Sequence, residues 1–80
     1  MDFYDFGQTL AAFRKEKRIS QDEMAKDLGL SRATISNFEN GKNGDIGLRK
    51  VLQMLDYLDY DISFRTKSPF PTFEELKDER

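Results

Sequence analysis

Two serines and one glycine impose the tightest constraint on this chain. Ser20 and Ser31 each precede a helical pattern, and a serine hydroxyl can accept a hydrogen bond from the free N–H groups of a helix's first turn. Gly29 stands between the two patterns, where a chain leaving one helix and entering another at a steep angle often needs a left-handed residue. The stretch from Ser20 to Gly41 is therefore expected to hold two short helices that cannot merge into one.

Eighty residues with a hydrophobic fraction of 38% suit one small domain near the lower limit for independent stability, so a second copy would help. The chain has no cysteine and no histidine. Disulfides, thiolate or imidazole metal ligands, nucleophilic thiols and histidine-based catalysis are thereby excluded. No nucleophile paired with a base is visible, so no enzyme activity and no cofactor are expected. No apolar run approaches a membrane span, and Met1-Asp2-Phe3-Tyr4-Asp5 lacks the basic start and apolar stretch of a signal peptide. The expected location is the cytoplasm.

A net charge of −2 argues at first against a polyanionic partner, because phosphate contacts need Lys and Arg. The average hides a segregation. Between Arg14 and Lys50 there are nine basic residues against six acidic ones, a balance of +3. From Ser68 onward Glu74, Glu75, Asp78 and Glu79 face only Lys77 and Arg80, a balance of −2. One surface is expected to meet phosphate and another to meet something else.

Phe6, Leu10 and Phe13 recur at i, i+4 and i+7, predicting a first helix from about Phe6 to Lys17 with a basic C-terminal end. The second helix offers Met24, Ala25 and Leu28 to the core, and the third offers Ile35 and Phe38. Asn40 to Asp45 is dense in turn formers and reads as an exposed loop. Leu48, Val51, Leu52, Leu55 and Leu58 then form the strongest helical stripe in the chain.

After that stripe the period changes. Tyr60, Ile62 and Phe64 alternate with Asp61, Ser63 and Arg65, the pattern of a short strand with one apolar face. No second strand is visible in the sequence, so its expected partner is the same strand of another copy, paired about a two-fold axis in a homodimer. An extended coil packed on its own domain is the other reading. The final segment opens with Pro69 and Pro71, which forbid continuation of the strand, and Thr72 with Glu75 fits a capping box. Phe70, Phe73 and Leu76 share one face of a possible turn, either to dock on a partner or to pack back on the domain. The expected organisation is a main domain over residues 1–58, a dimerising strand over 59–67 and an acidic, aromatic tail over 68–80.

The residues from Gln21 to Gly41, together with Arg14-x-x-Lys17, resemble the helix-turn-helix of the phage-repressor and Cro class, the XRE family. The run Thr34-Ile35-Ser36-Asn37-Phe38-Glu39-Asn40, followed by a helix and a C-terminal strand, further resembles HipB-like antitoxins. This resemblance implies an all-α bundle of four to five short helices with a C-terminal strand pairing in a dimer. It also implies double-stranded DNA carrying an inverted repeat as partner, hence an association with the nucleoid, and a HipA-like kinase toxin as a second partner. The tail matches no pattern of that family.

In the family the first turn of the third helix enters the major groove, whose base edges can be told apart by side chains. The matching residues here are Ser31, Arg32, Ala33 and Ser36, with Arg32 the candidate for a bidentate bond to guanine. Gln21 matches a phosphate-contacting glutamine, and Thr34, Asn37 and Lys42 are further phosphate candidates. Arg14 and Glu39 match a buried ion pair that ties the first helix to the third. A scaffold that keeps this fold and holds a protein partner through its tail is the competing function, as is a stand-alone regulator without a toxin.

Overall fold

The first helix begins three residues earlier than the periodicity from Phe6 predicts, because Asp2 caps it: its carboxylate accepts from the Asp5 N–H at 2.8 Å. The computed structural model describes residues 2–42 and 45–67. It contains helices α1 (Phe3–Glu16), α2 (Gln21–Leu28), α3 (Arg32–Glu39) and α4 (Leu48–Tyr57). Ser20 and Ser31 cap α2 and α3 as expected, accepting from Glu23 N–H at 3.0 Å and Thr34 N–H at 3.1 Å.

All four helices stop in the same way. A residue with φ near +60 to +71° follows each last turn: Arg18, Gly29, Gly41 and Asp59. The next N–H then reaches back to a carbonyl five residues earlier, as Leu30 does to Ala25 and Tyr60 to Leu55, both at 2.8 Å. This double-back satisfies carbonyls that a helix end otherwise leaves open. Gly29 adopts the left-handed form without strain, whereas Arg18 and Asp59 adopt it against the preference of a β-carbon.

The helices close around Leu10, Met24, Ala25, Ile35, Phe38, Met54, Leu55 and Leu58, all buried. Phe6 meets Phe38 edge to face at 6.1 Å, and Phe13 stacks on Tyr60 at 3.8 Å. The α4 stripe is displaced from its predicted setting. Met54 is buried, while Leu48 and Leu52 are exposed, because the face turned inward runs through Met54, Leu55 and Leu58.

Residues 60–67 form no ladder within the described chain; the sequence offers them no second strand to pair with. Tyr60 is half-buried against Phe13, Ile62 is exposed, and Phe64 is 93% exposed. Phe70, Phe73 and Leu76, the Thr72–Glu75 pair and two residues of the 40–45 loop lie outside the described residues.

α1 approaches α3 through backbone. A β-carbon at Gly7 would lie inside the van der Waals shell of the Phe38 carbonyl oxygen and 3.1 Å from Glu39 Cα. Gln8 donates from Nε2 to the Glu39 carbonyl at 2.7 Å, satisfying a last-turn acceptor of α3. Gly7→Ala is accordingly expected to lower stability by about 1–3 kcal/mol through overpacking, although alanine favours helix by about 1 kcal/mol elsewhere. Urea unfolding tests this; an increase in stability would show that the two helices part freely.

α4 is tied to α2 by the Tyr57 hydroxyl, which donates to Asp27 Oδ2 at 2.6 Å. That hydrogen bond, helped by desolvation and by the negative charges of Asp27 and Glu23, pushes the Tyr57 pKa up to about 12 from 10.0. A proton held more tightly in the folded state stabilises it below pH 10 and ceases to do so as pH rises through 12. The stability of the native chain should therefore fall relative to that of Tyr57→Phe between those values. Parallel pH profiles for the two proteins would refute the linkage.

Candidate nucleic-acid interface

The third helix shows one face to the core and the other to solvent. Ile35 and Phe38 are buried, whereas Ser31, Arg32 and Ala33 are exposed and Thr34, Ser36 and Asn37 are half-buried. The four candidate base-reading residues thus share the outer side of α3 and its cap. Ser31 is committed locally, since its hydroxyl accepts from the Thr34 N–H and also pairs with the Thr34 hydroxyl at 2.9 Å. Lys42 stands exposed just past the end of the helix.

Arg14 and Glu39 hold α3 from behind, as expected from the sequence. Arg14 donates from Nε to Glu39 Oε2 at 2.7 Å and from Nη2 to Oε1 at 2.9 Å. Its third nitrogen, Nη1, donates to the Ile19 carbonyl at 2.8 Å, which pins the turn between α1 and α2. Both residues are buried, and no buried side-chain polar atom among the described residues lacks a partner. A bidentate, fully satisfied pair is the geometry in which a buried charge is tolerated.

The polar chain continues outward. Gln21 donates from Nε2 to Glu39 Oε1 at 2.9 Å, and its Oε1 accepts a long bond of 3.4 Å from Arg32 Nε. The amide assigned to phosphate from the sequence is therefore engaged inside the molecule, between the ion pair and α3. Asp22 Oδ1 lies 3.7 Å from the same Arg32 nitrogen. A polar depression of about 410 Å³ opens beside these groups, lined in part by Lys15, Gln21, Asp22, Arg32 and Asn40.

Sequence reasoning missed three contributors. Gly7 carried a signal, an isolated glycine within a helical pattern, and Gln8 follows it. Asp22 read only as a first-turn acid suited to the helix dipole; nothing in the linear order shows that it meets Arg32. A separate apolar groove of about 620 Å³ is lined in part by Phe3, Phe6, Phe38, Leu48, Val51 and Ile62. No helix among the described residues is long and apolar enough to cross a membrane.

Two capped helices joined by a left-handed glycine, the second bracketed by the first and by α1, define a helix-turn-helix domain. A family model described as helix-turn-helix matches residues 10–64, and the chain belongs to that family, in its XRE-type branch. It is 42% identical over 57 residues to a protein of Methanocella arvoryzae provisionally named an HTH-type transcriptional regulatory protein, covering 71% of this chain and 17% of that one. The ImmF control region 10 kDa protein of Bacillus phage phi105 is 45% identical over 42 residues, 52% of this chain and 47% of that one. The chain thus spans less than half the length of either relative. A chain in the structure of the HipA-HipB-O2-O3 complex superposes with a TM-score of 0.74 at 25% identity, covering 85% of this chain and 94% of that one.

The ion pair yields a direct test. Arg14→Met should cost about 3–5 kcal/mol in urea unfolding, because it leaves the Glu39 carboxylate buried without its cation. Adding Glu39→Leu should recover much of the loss. A single-variant cost under about 1 kcal/mol is what an exposed pair would show, and would contradict the buried role.

Proposed function

We propose that the chain is a sequence-specific DNA-binding repressor that acts as a homodimer on an inverted repeat. The observation that carries this reading is the exposure of Ser31, Arg32 and Ala33 on the first turn of a helix whose opposite face is locked into the core. A helix so presented fits the major groove, with Arg32 placed for a bidentate bond to guanine and Ala33 for a thymine methyl. Ser36 completes the base-reading set. Gln21, through the second hydrogen of its amide, serves the phosphates together with Thr34, Asn37 and Lys42, which set register without reading sequence.

Dimerisation rests on the exposed apolar side chains. Ile62, Phe64, Leu48 and Leu52 are costly to leave in water, and the backbone of residues 60–67 has no ladder partner among the described residues. Pairing the 60–67 segments about a two-fold axis would supply the ladder and cover Ile62 and Phe64, and the two-fold would give the dimer two copies of α3 for two half-sites. Tyr60 contributes backbone, its ring being stacked on Phe13. An occupied site near a promoter would block polymerase.

The finer reading is an antitoxin that represses its own operon and binds a HipA-like kinase toxin. It is supported by the structural likeness to a chain of the HipA-HipB-O2-O3 complex. In this reading Phe70, Phe73 and Leu76 of the acidic tail are the residues offered to the toxin.

Selection of binding sites from a random-sequence duplex pool tests the main reading and should return an inverted repeat. Affinity should fall steeply with salt, because phosphate neutralisation releases counterions. Arg32→Ala should cost about 1–3 kcal/mol on the selected duplex and far less on a scrambled one. An equal loss on both would remove Arg32 from base reading, and absence of binding at low salt would favour the protein scaffold.

A further inference from the structure

Both partners of Arg32 approach it at one atom. Gln21 Oε1 is 3.4 Å and Asp22 Oδ1 is 3.7 Å from Nε, while the two terminal nitrogens make no hydrogen bond among the described residues. A guanidinium has two donor edges, and guanine O6 and N7 are matched by one of them. Here the inner edge is held and the outer edge is left open toward solvent. Gln21 is itself anchored on Glu39, so the hold reaches back to the buried ion pair. Asp22 sits at the rim with its side chain mostly exposed, like that of Arg32, so burial does not force their approach.

We propose that Asp22 is a specificity-determining positioning residue: its carboxylate, beside the Gln21 amide, orients the Arg32 guanidinium toward a base and keeps that cation from settling on phosphate. The inference rests on the base-reading role of Arg32 given above. Two physical effects act together. A side chain already oriented loses less rotamer freedom when it binds. A guanine met by the terminal nitrogens leaves Nε with Asp22, so the pair survives in the specific complex. A phosphate can take the same terminal nitrogens, but it brings a full negative charge close to the Asp22 carboxylate, where like charges repel, whereas guanine O6 and N7 are neutral acceptors. The carboxylate therefore penalises non-specific DNA more than it penalises the cognate site.

A purely structural role for Asp22 exists, since an acid in the first turn of α2 favours the helix dipole. That role predicts a change in folding stability and none in base discrimination. The two are separated by measuring Asp22→Asn, Arg32→Ala and the double variant by fluorescence anisotropy. The probes are the duplex selected from the random pool, the same duplex with the guanine assigned to Arg32 changed to adenine, and a scrambled duplex.

Asp22→Asn is expected to tighten binding to the scrambled duplex about threefold to tenfold and to steepen its salt slope by about 0.9, as one more phosphate contact becomes available. Affinity for the selected duplex should stay within about twofold of that of the native chain, so the preference for guanine over adenine shrinks. In the Arg32→Ala background the same change should leave the remaining preference untouched. Equal tightening on all three duplexes, or an undiminished effect of Asp22→Asn without Arg32, would overturn the proposal. A native chain that does not prefer the selected duplex over the scrambled one would instead overturn the DNA-reading function itself.

Discussion

The Arg14–Glu39 ion pair is the interaction on which the geometry of this molecule turns. Its three donor contacts join the end of α1, the turn into α2 and the end of α3 at a single point. Burying two charges is not a strong source of net stability, because desolvation offsets much of their attraction. Its contribution is directional. A bidentate guanidinium tolerates little rotation, and α3 has only eight residues, too few to hold a shape without neighbours. The pair therefore sets the attitude of α3, while Ile35 and Phe38 supply the burial.

The polar chain that starts there reaches the surface without interruption, from Arg14 through Glu39 and Gln21 to Arg32. Partners become progressively more exposed along it, and the bonds lengthen from 2.7 Å at the buried end to 3.4 Å at the rim. The gradient has a physical meaning. The inner members are held where water cannot compete, and the outermost keeps the freedom to exchange one partner for another. Asp22, 3.7 Å from Arg32 Nε, adds a carboxylate at the exposed end of this chain.

Much of this was legible in the linear order because it is local. Ser20, Gly29 and Ser31 encode caps and a turn within a few residues of themselves, and the matched pattern of Arg14 and Glu39 placed the ion pair. The span of α2 and the start of α3 followed from those signals, and the end of α3 from the turn formers that begin at Asn40. Legibility failed where the deciding contact lay far along the chain. Met54 lies inside and Leu48 outside because the rotation of α4 answers to the packing of the other helices, and all five apolar positions fit a helical stripe equally well. Tyr60 reads as part of an alternating strand, yet its ring is taken by Phe13, forty-seven positions earlier. The cap at Asp2 was overlooked for a simpler reason: the apolar period begins only at Phe6, and Phe3 and Tyr4 are exposed.

The glycine contact between α1 and α3 bears on how closely their distance is defined. Where two helices rest on side chains, each alteration of volume shifts their separation and tilts whatever they carry. Here main chain abuts main chain at Gly7 and Phe38, a stop that no rotamer can adjust. The separation of α1 and α3 at this point is thereby fixed by covalent geometry, and the ion pair beside it has only the rotation of α3 left to set.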